Sequence, residues 1–99
     1  MDVMVSGGRV TGFAQDVKAC ALGQAAAAVL GQSVMGRSLA ELQTARDSLA
    51  AMLQQGAAVP AAPFQGFQVL IPAREYKNRH ASILLALDAT CEAVAMAEG

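Results

Sequence analysis

Two side chains able to do chemistry, Cys20 and His80, stand at predicted helix starts. Cys20 opens the stretch Ala19-Cys20-Ala21-Leu22-Gly23-Gln24-Ala25-Ala26-Ala27-Ala28-Val29-Leu30. At a helix mouth the amides are unpaired and the macrodipole is positive, which stabilises thiolate over thiol. A thiolate binds metal or accepts sulfur. A small cysteine packed in the interior is the competing reading. His80 is the only histidine and opens Arg79-His80-Ala81-Ser82. A positive helix end favours neutral imidazole, the form that ligates metal. One Cys and one His do not make a zinc site by themselves, because zinc takes about four ligands. By spacing alone, a capping or solvent-exposed histidine explains His80 better than a metal ligand does. Lys18, Arg74, Lys77 and Arg79 bracket the two positions. Together they would lower a thiolate's pKa and attract an anionic sulfur species. Singly, each also reads as a solvated loop charge.

Other chemistries fail on their motifs. Ser82 follows His80 without a nucleophile elbow or a placed acid. There is no P-loop and no dinucleotide fingerprint. Cys91 falls in the stripe Leu84, Leu87, Cys91, Val94 and reads as core.

The elements that must position these residues follow from pattern. Residues 2–6 and 9–18 alternate about Gly7-Gly8 and predict a β-hairpin. Val10, Gly12, Ala14 and Asp16 share one parity; Thr11, Phe13, Gln15 and Val17 share the other. The alanine-rich run predicts a helix over 20–32, ending near Gly31. Ser38 with Glu41 three residues on is a capping box, opening a helix over 39–54 that Gly56 closes. Leu39, Leu42, Ala45 (or Arg46), Leu49, Met52 and Leu53 form its apolar stripe. Residues 56–77, with Pro60, Pro63, Gly66 and Pro72, read as a long connection carrying the apolar pegs Phe64, Phe67, Val69, Leu70 and Ile71. A last helix spans 78–97, with Asn78 as an N-cap.

Composition narrows the class. A chain of 99 residues is one small domain. It is 55% hydrophobic but only 4% aromatic, so its core is thin and alanine-rich. Seven basic against eight acidic residues, a formal charge of −1, argue against nucleic-acid binding, which needs a basic face. No signal-peptide pattern and no apolar run of spanning length is visible in the sequence. Two cysteines without secretory context point to a reduced, cytoplasmic protein.

Three stretches resemble the NifU/IscU-like iron–sulfur cluster scaffold family. One is the strand leading into Ala19-Cys20-Ala21-Leu22-Gly23-Gln24-Ala25-Ala26-Ala27. Another is Gly36-Arg37-Ser38-Leu39-Ala40-Glu41, similar to the family's Gly-Lys-Thr-Leu-Asp-Glu. The last is His80-Ala81-Ser82, similar to its His-Cys-Ser. The resemblance implies an α+β fold, a small antiparallel sheet packed against three helices, as in the IscU/NifU N-terminal domain. It implies Cys20 and His80 as metal ligands, with Lys18, Arg74, Lys77 and Arg79 steering an anion or partner. Ala81 stands where the family has its third cysteine. The family's first cysteine motif would fall ahead of Met1, so residues 1–99 are expected to be a single scaffold domain short of the N-terminal segment, either truncated or diverged. A [2Fe–2S] cluster normally takes four ligands, mostly thiolates. A second copy, or the missing segment, would complete such a site.

The expected function is therefore that of a non-enzymatic, cytoplasmic iron–sulfur assembly scaffold or accessory. It would handle a transient iron–sulfur cluster or zinc, or no metal in the isolated chain. Its partners would be a cysteine desulfurase and cluster acceptor proteins, and a homo-oligomer is compatible with this. Nucleic acid and membrane are not expected. The alternatives are a zinc-dependent persulfide acceptor and a metal-free interaction module.

Overall fold

A computed structural model describes residues 2–15 and 21–98. Strands β1 (Asp2–Ser6) and β2 (Arg9–Ala14) form an antiparallel hairpin. Gly7 and Gly8 turn it at φ +60° and +75°, the left-handed region that glycine enters freely. Strict alternation does not hold along β2. The register passes from Val5↔Val10 to Met4↔Gly12, so Thr11 is an extra residue bulged out of the pairing. One extra residue reverses the facing of everything beyond it. Val10 is buried and Phe13 packs on the same core despite their opposite parity. The strand also ends earlier than expected, at Ala14; residues 16–18 of the expected strand lie outside the described residues.

Helix α1 (Ala21–Ser33) runs past Gly31, which was expected to end it. The left-handed glycine that reverses the chain is Gly36, at φ +80°. Gly23, Ala26 and Ala27 are buried along α1, where small side chains allow close approach.

Helix α2 (Leu39–Gln55) opens on the expected capping box. The Ser38 hydroxyl accepts from the Glu41 amide at 3.2 Å, and the Ser38 amide donates to Glu41 Oε1 at 3.3 Å. Gly56 closes α2 at φ 69°. Leu42, Ala45, Leu49, Met52 and Leu53 are buried, as the stripe required.

The connection is more regular than its sequence suggested. Residues Gln65–Glu75 form a 3-10 helix, and Lys77–Arg79 a further 3-10 turn. A 3-10 helix has three residues per turn, so positions three apart share a face. Phe64, Phe67, Leu70 and Ala73 recur at that spacing and are all buried. Phe64 and Phe67 stack with ring centroids 6.3 Å apart. Val69 falls off this register and is exposed.

Helix α3 (His80–Glu98) packs against α1, α2 and β1. Asn78, expected as its N-cap, lies within the Lys77–Arg79 turn instead. The span Lys77–Glu98 is long and apolar enough to cross a membrane on length and composition alone. In this fold Ile83, Leu84, Leu87 and Val94 are buried core residues.

Glu41 ties these elements together. Its carboxylate takes Arg9 Nη1 at 3.1 Å, Arg37 Nη1 at 3.0 Å and the Ser38 hydroxyl at 3.3 Å. The Ser38 backbone hydrogen bond, outweighing a smaller desolvation and aided by Arg37, holds its carboxyl below the ordinary 4.5. A depressed carboxyl stabilises the fold above its unfolded pKa, and that contribution is lost as pH falls through the folded value. Urea unfolding of the wild type should weaken as pH is lowered below about 4.5, and Glu41→Gln should flatten that dependence. Ser38→Ala should destabilise the domain by about 1 kcal/mol at neutral pH, lowering Tm by roughly 4–8 °C.

Candidate functional site

The 3-10 segment delivers the chain to His80, the first residue of α3 and 6% exposed. It is therefore neither a surface histidine nor a solvent-facing cap. Its Nε2 lies 3.1 Å from the Ala73 carbonyl. A carbonyl only accepts, so in the neutral ring Nε2 carries the proton and Nδ1 keeps its lone pair. Nδ1 has no hydrogen-bond partner among the described residues. A histidine whose far nitrogen donates to a backbone carbonyl is oriented as metal-ligating histidines are.

A groove of about 580 Å³ runs beside His80 between α2 and α3. Arg46, Gln54, Lys77, Ala81, Leu84 and Asp88 complete its lining. Ala81 is exposed there and contributes only a methyl group. Asp88, two turns beyond His80, accepts Arg46 Nε at 2.7 Å, and Arg46 Nη1 also reaches Asp47 at 3.5 Å. This network was missed in the sequence. The spacing of His80, Leu84 and Asp88 would have put all three on one face of α3, but Arg46 read only as an uncertain member of the α2 stripe.

The other candidates separate. Arg74, expected to steer an anion, caps α2: its Nε donates to the Met52 carbonyl at 2.7 Å and its Nη2 to Ala57 at 2.9 Å. The last carbonyls of a helix have no partner within it, and a guanidinium satisfies them well. Lys77 lines the groove and is exposed, as is Arg79. Cys20 and Lys18 lie outside the described residues. Their flanks are Ala21, where α1 begins, and Gln15, whose Nε2 donates to the Ala27 carbonyl on α1 at 2.8 Å. Cys91 packs half-buried against the core and lines a second groove with Gln43, Arg46, Asp47 and Asp88. Burial pushes its thiol up, and the Asp88 charge adds to that, so it is a poor nucleophile.

Among the described residues, no three His, Cys, Asp or Glu side chains cluster closely enough to hold a metal ion. The described part of the site is one oriented imidazole at a helix start, a groove and a flanking lysine.

A two-stranded hairpin on three helices, with a buried histidine opening the last helix, defines an α+β domain. The chain is similar to the N-terminal part of a nitrogen-fixing NifU-like protein from Brucella abortus, known from its crystal structure. The two share 41% identity at a TM-score of 0.91, over 97% of this chain and 67% of that one. No family model and no curated protein matches the sequence. At that identity and coverage, this chain belongs to the NifU-like family.

The cap and the groove cation should separate experimentally. Arg74→Met should destabilise the domain by about 1–3 kcal/mol, because it leaves helix-end carbonyls without a partner. Lys77→Met should leave urea stability within about 0.5 kcal/mol, as for surface substitutions generally. Nitrogen-15 NMR of the neutral His80 ring should show the Nε2–H tautomer; an Nδ1–H ring would contradict the contact with Ala73.

Proposed function

We propose that this chain serves iron–sulfur cluster assembly, receiving iron and sulfur and passing a cluster to acceptor proteins. Family membership supports the general role. The observation that carries the finer reading is the orientation of His80, whose Nε2–H is directed to the Ala73 carbonyl while Nδ1 keeps its lone pair. In this reading Cys20 is the thiolate ligand or persulfide acceptor, and His80 the imidazole ligand. Lys18, Lys77 and Arg79 steer an anionic sulfur species or the desulfurase that delivers it. The protein acts as a cytoplasmic carrier rather than an enzyme, and its partners are a cysteine desulfurase and cluster acceptors.

Ala81 favours a second reading. A methyl beside His80 lowers the number of thiolates the chain can offer, and a cluster wants mostly thiolates. A zinc-dependent persulfide acceptor has a smaller ligand demand, since one coordination position is left open for the sulfur. Anaerobic reconstitution with iron and sulfide distinguishes the two. The scaffold reading expects a visible sulfur-to-iron charge-transfer absorption that Cys20→Ser abolishes and His80→Ala weakens. Zinc copurifying with the chain and lost in His80→Ala, with no such absorption in any variant, would replace it with the acceptor reading.

A further inference from the structure

We propose that Arg74 is a positioning residue for His80, deciding which ring nitrogen keeps its lone pair. The inference rests on the reading above in which His80 serves the site through that lone pair. It is carried by one shared peptide unit. The Ala73 carbonyl that faces His80 Nε2 at 3.1 Å belongs to the planar group joining Ala73 to Arg74. That plane includes the Arg74 Cα, from which the side chain leaves. Whatever holds the Arg74 side chain therefore restrains the direction of the oxygen.

That side chain is held at two points. Arg74 Nε donates to the Met52 carbonyl at 2.7 Å and Nη2 to the Ala57 carbonyl at 2.9 Å. A guanidinium is a rigid planar fork, so two bonds from it fix orientation as well as distance. Among the described residues it forms no ion pair, and no acid competes for it. The Ala73 oxygen is itself used twice. The Tyr76 amide donates to it at 2.9 Å, and the imidazole takes the other lone pair. Buried Phe67 and Leu70 hold the 3-10 segment against the core. Arg74 and the Tyr76 amide set how the peptide unit at its end is turned. His80 is 6% exposed, so water offers its ring little replacement. When the Ala73 oxygen turns away, Nε2–H loses its acceptor, and either nitrogen can then carry the proton. The lone pair left for chemistry moves with that choice.

Nitrogen-15 NMR of the full chain, at a pH where the His80 ring is neutral, tests this by reading the fraction of Nδ1–H tautomer. Arg74→Met should raise that fraction by about threefold to tenfold, the factor one neutral hydrogen bond is worth. Ser38→Ala also loses stability, but at the far end of α2, and should leave the fraction as in the wild type. Arg74→Lys keeps one cationic donor and loses the fork, so it should give a smaller rise in the same direction. It carries the same test should Arg74→Met fail to fold, which circular dichroism would reveal. An unchanged ring in the folded Arg74 variants would overturn the inference and reduce Arg74 to a helix cap. An equal rise in Ser38→Ala would overturn it too, because the tautomer would then follow stability rather than the clamp. The charge-transfer absorption of wild-type chain reconstituted with iron and sulfide is read separately. Its absence would sink the assembly reading and leave the tautomer result standing.

Discussion

The carboxylate of Glu41 is where the hairpin, the turn after α1 and the start of α2 meet. A two-stranded hairpin is marginal by itself in water. Here it is anchored by Arg9, which reaches both the Gly36 carbonyl at 2.7 Å and Glu41 at 3.1 Å. Backbone bonds run alongside, from Gly36 to the Val10 carbonyl and from Val10 to the Arg37 carbonyl. The same carboxylate closes the α2 capping box and pairs with Arg37. One acidic group therefore links the hairpin, the turn between α1 and α2, and the start of α2, alongside these backbone bonds. With β2 and α2 held, the described flank of Cys20 at Gln15 is set against α1 through Ala27.

A second chain of contacts sets His80. Arg74 joins the 3-10 segment to the end of α2, and the neighbouring carbonyl of Ala73 receives the imidazole. The guanidinium is used for architecture, and the position of the ring follows from it. A shift of the 3-10 segment relative to α2 would move Ala73 and so release the ring. The segment is pinned by Phe67 and Leu70, which are fully or almost fully buried, so the ring orientation is over-determined by packing.

Much of this was legible in the sequence, for local reasons. The capping box, the Gly7-Gly8 turn and the closure at Gly56 are each written in contiguous residues, and the structure contains all three. The Thr11 bulge was not legible, because a bulge is settled by the partner strand and the core behind it. The 3-10 helix was misread as loop because prolines dominated the reading, although Phe64, Phe67, Leu70 and Ala73 repeat every third residue. The site was legible only as single residues. His80 could be named, but its bond to Ala73 joins residues across a turn whose geometry no motif encodes. The role of Arg74 was hidden likewise, since its acceptors lie on another element.

The difference between His80 and Cys91 shows how one helix separates chemistry from packing. Both lie on α3, and both line grooves that touch Arg46 and Asp88. Cys91 sits mid-helix beside Asp88, where burial and a like charge both oppose a thiolate. His80 sits at the helix start, beside Lys77 and away from any acid in the first turn. The Arg46–Asp88 pair stands between the two and neutralises the carboxylate that would otherwise extend its field toward the imidazole. The groove at His80 is thus flanked by Lys77, while the separate groove at Cys91 is flanked by Asp47 and Asp88 together with Arg46. The polarity of α3 and the placement of one ion pair thus set the helix-start imidazole apart from the half-buried thiol, which is part of the core.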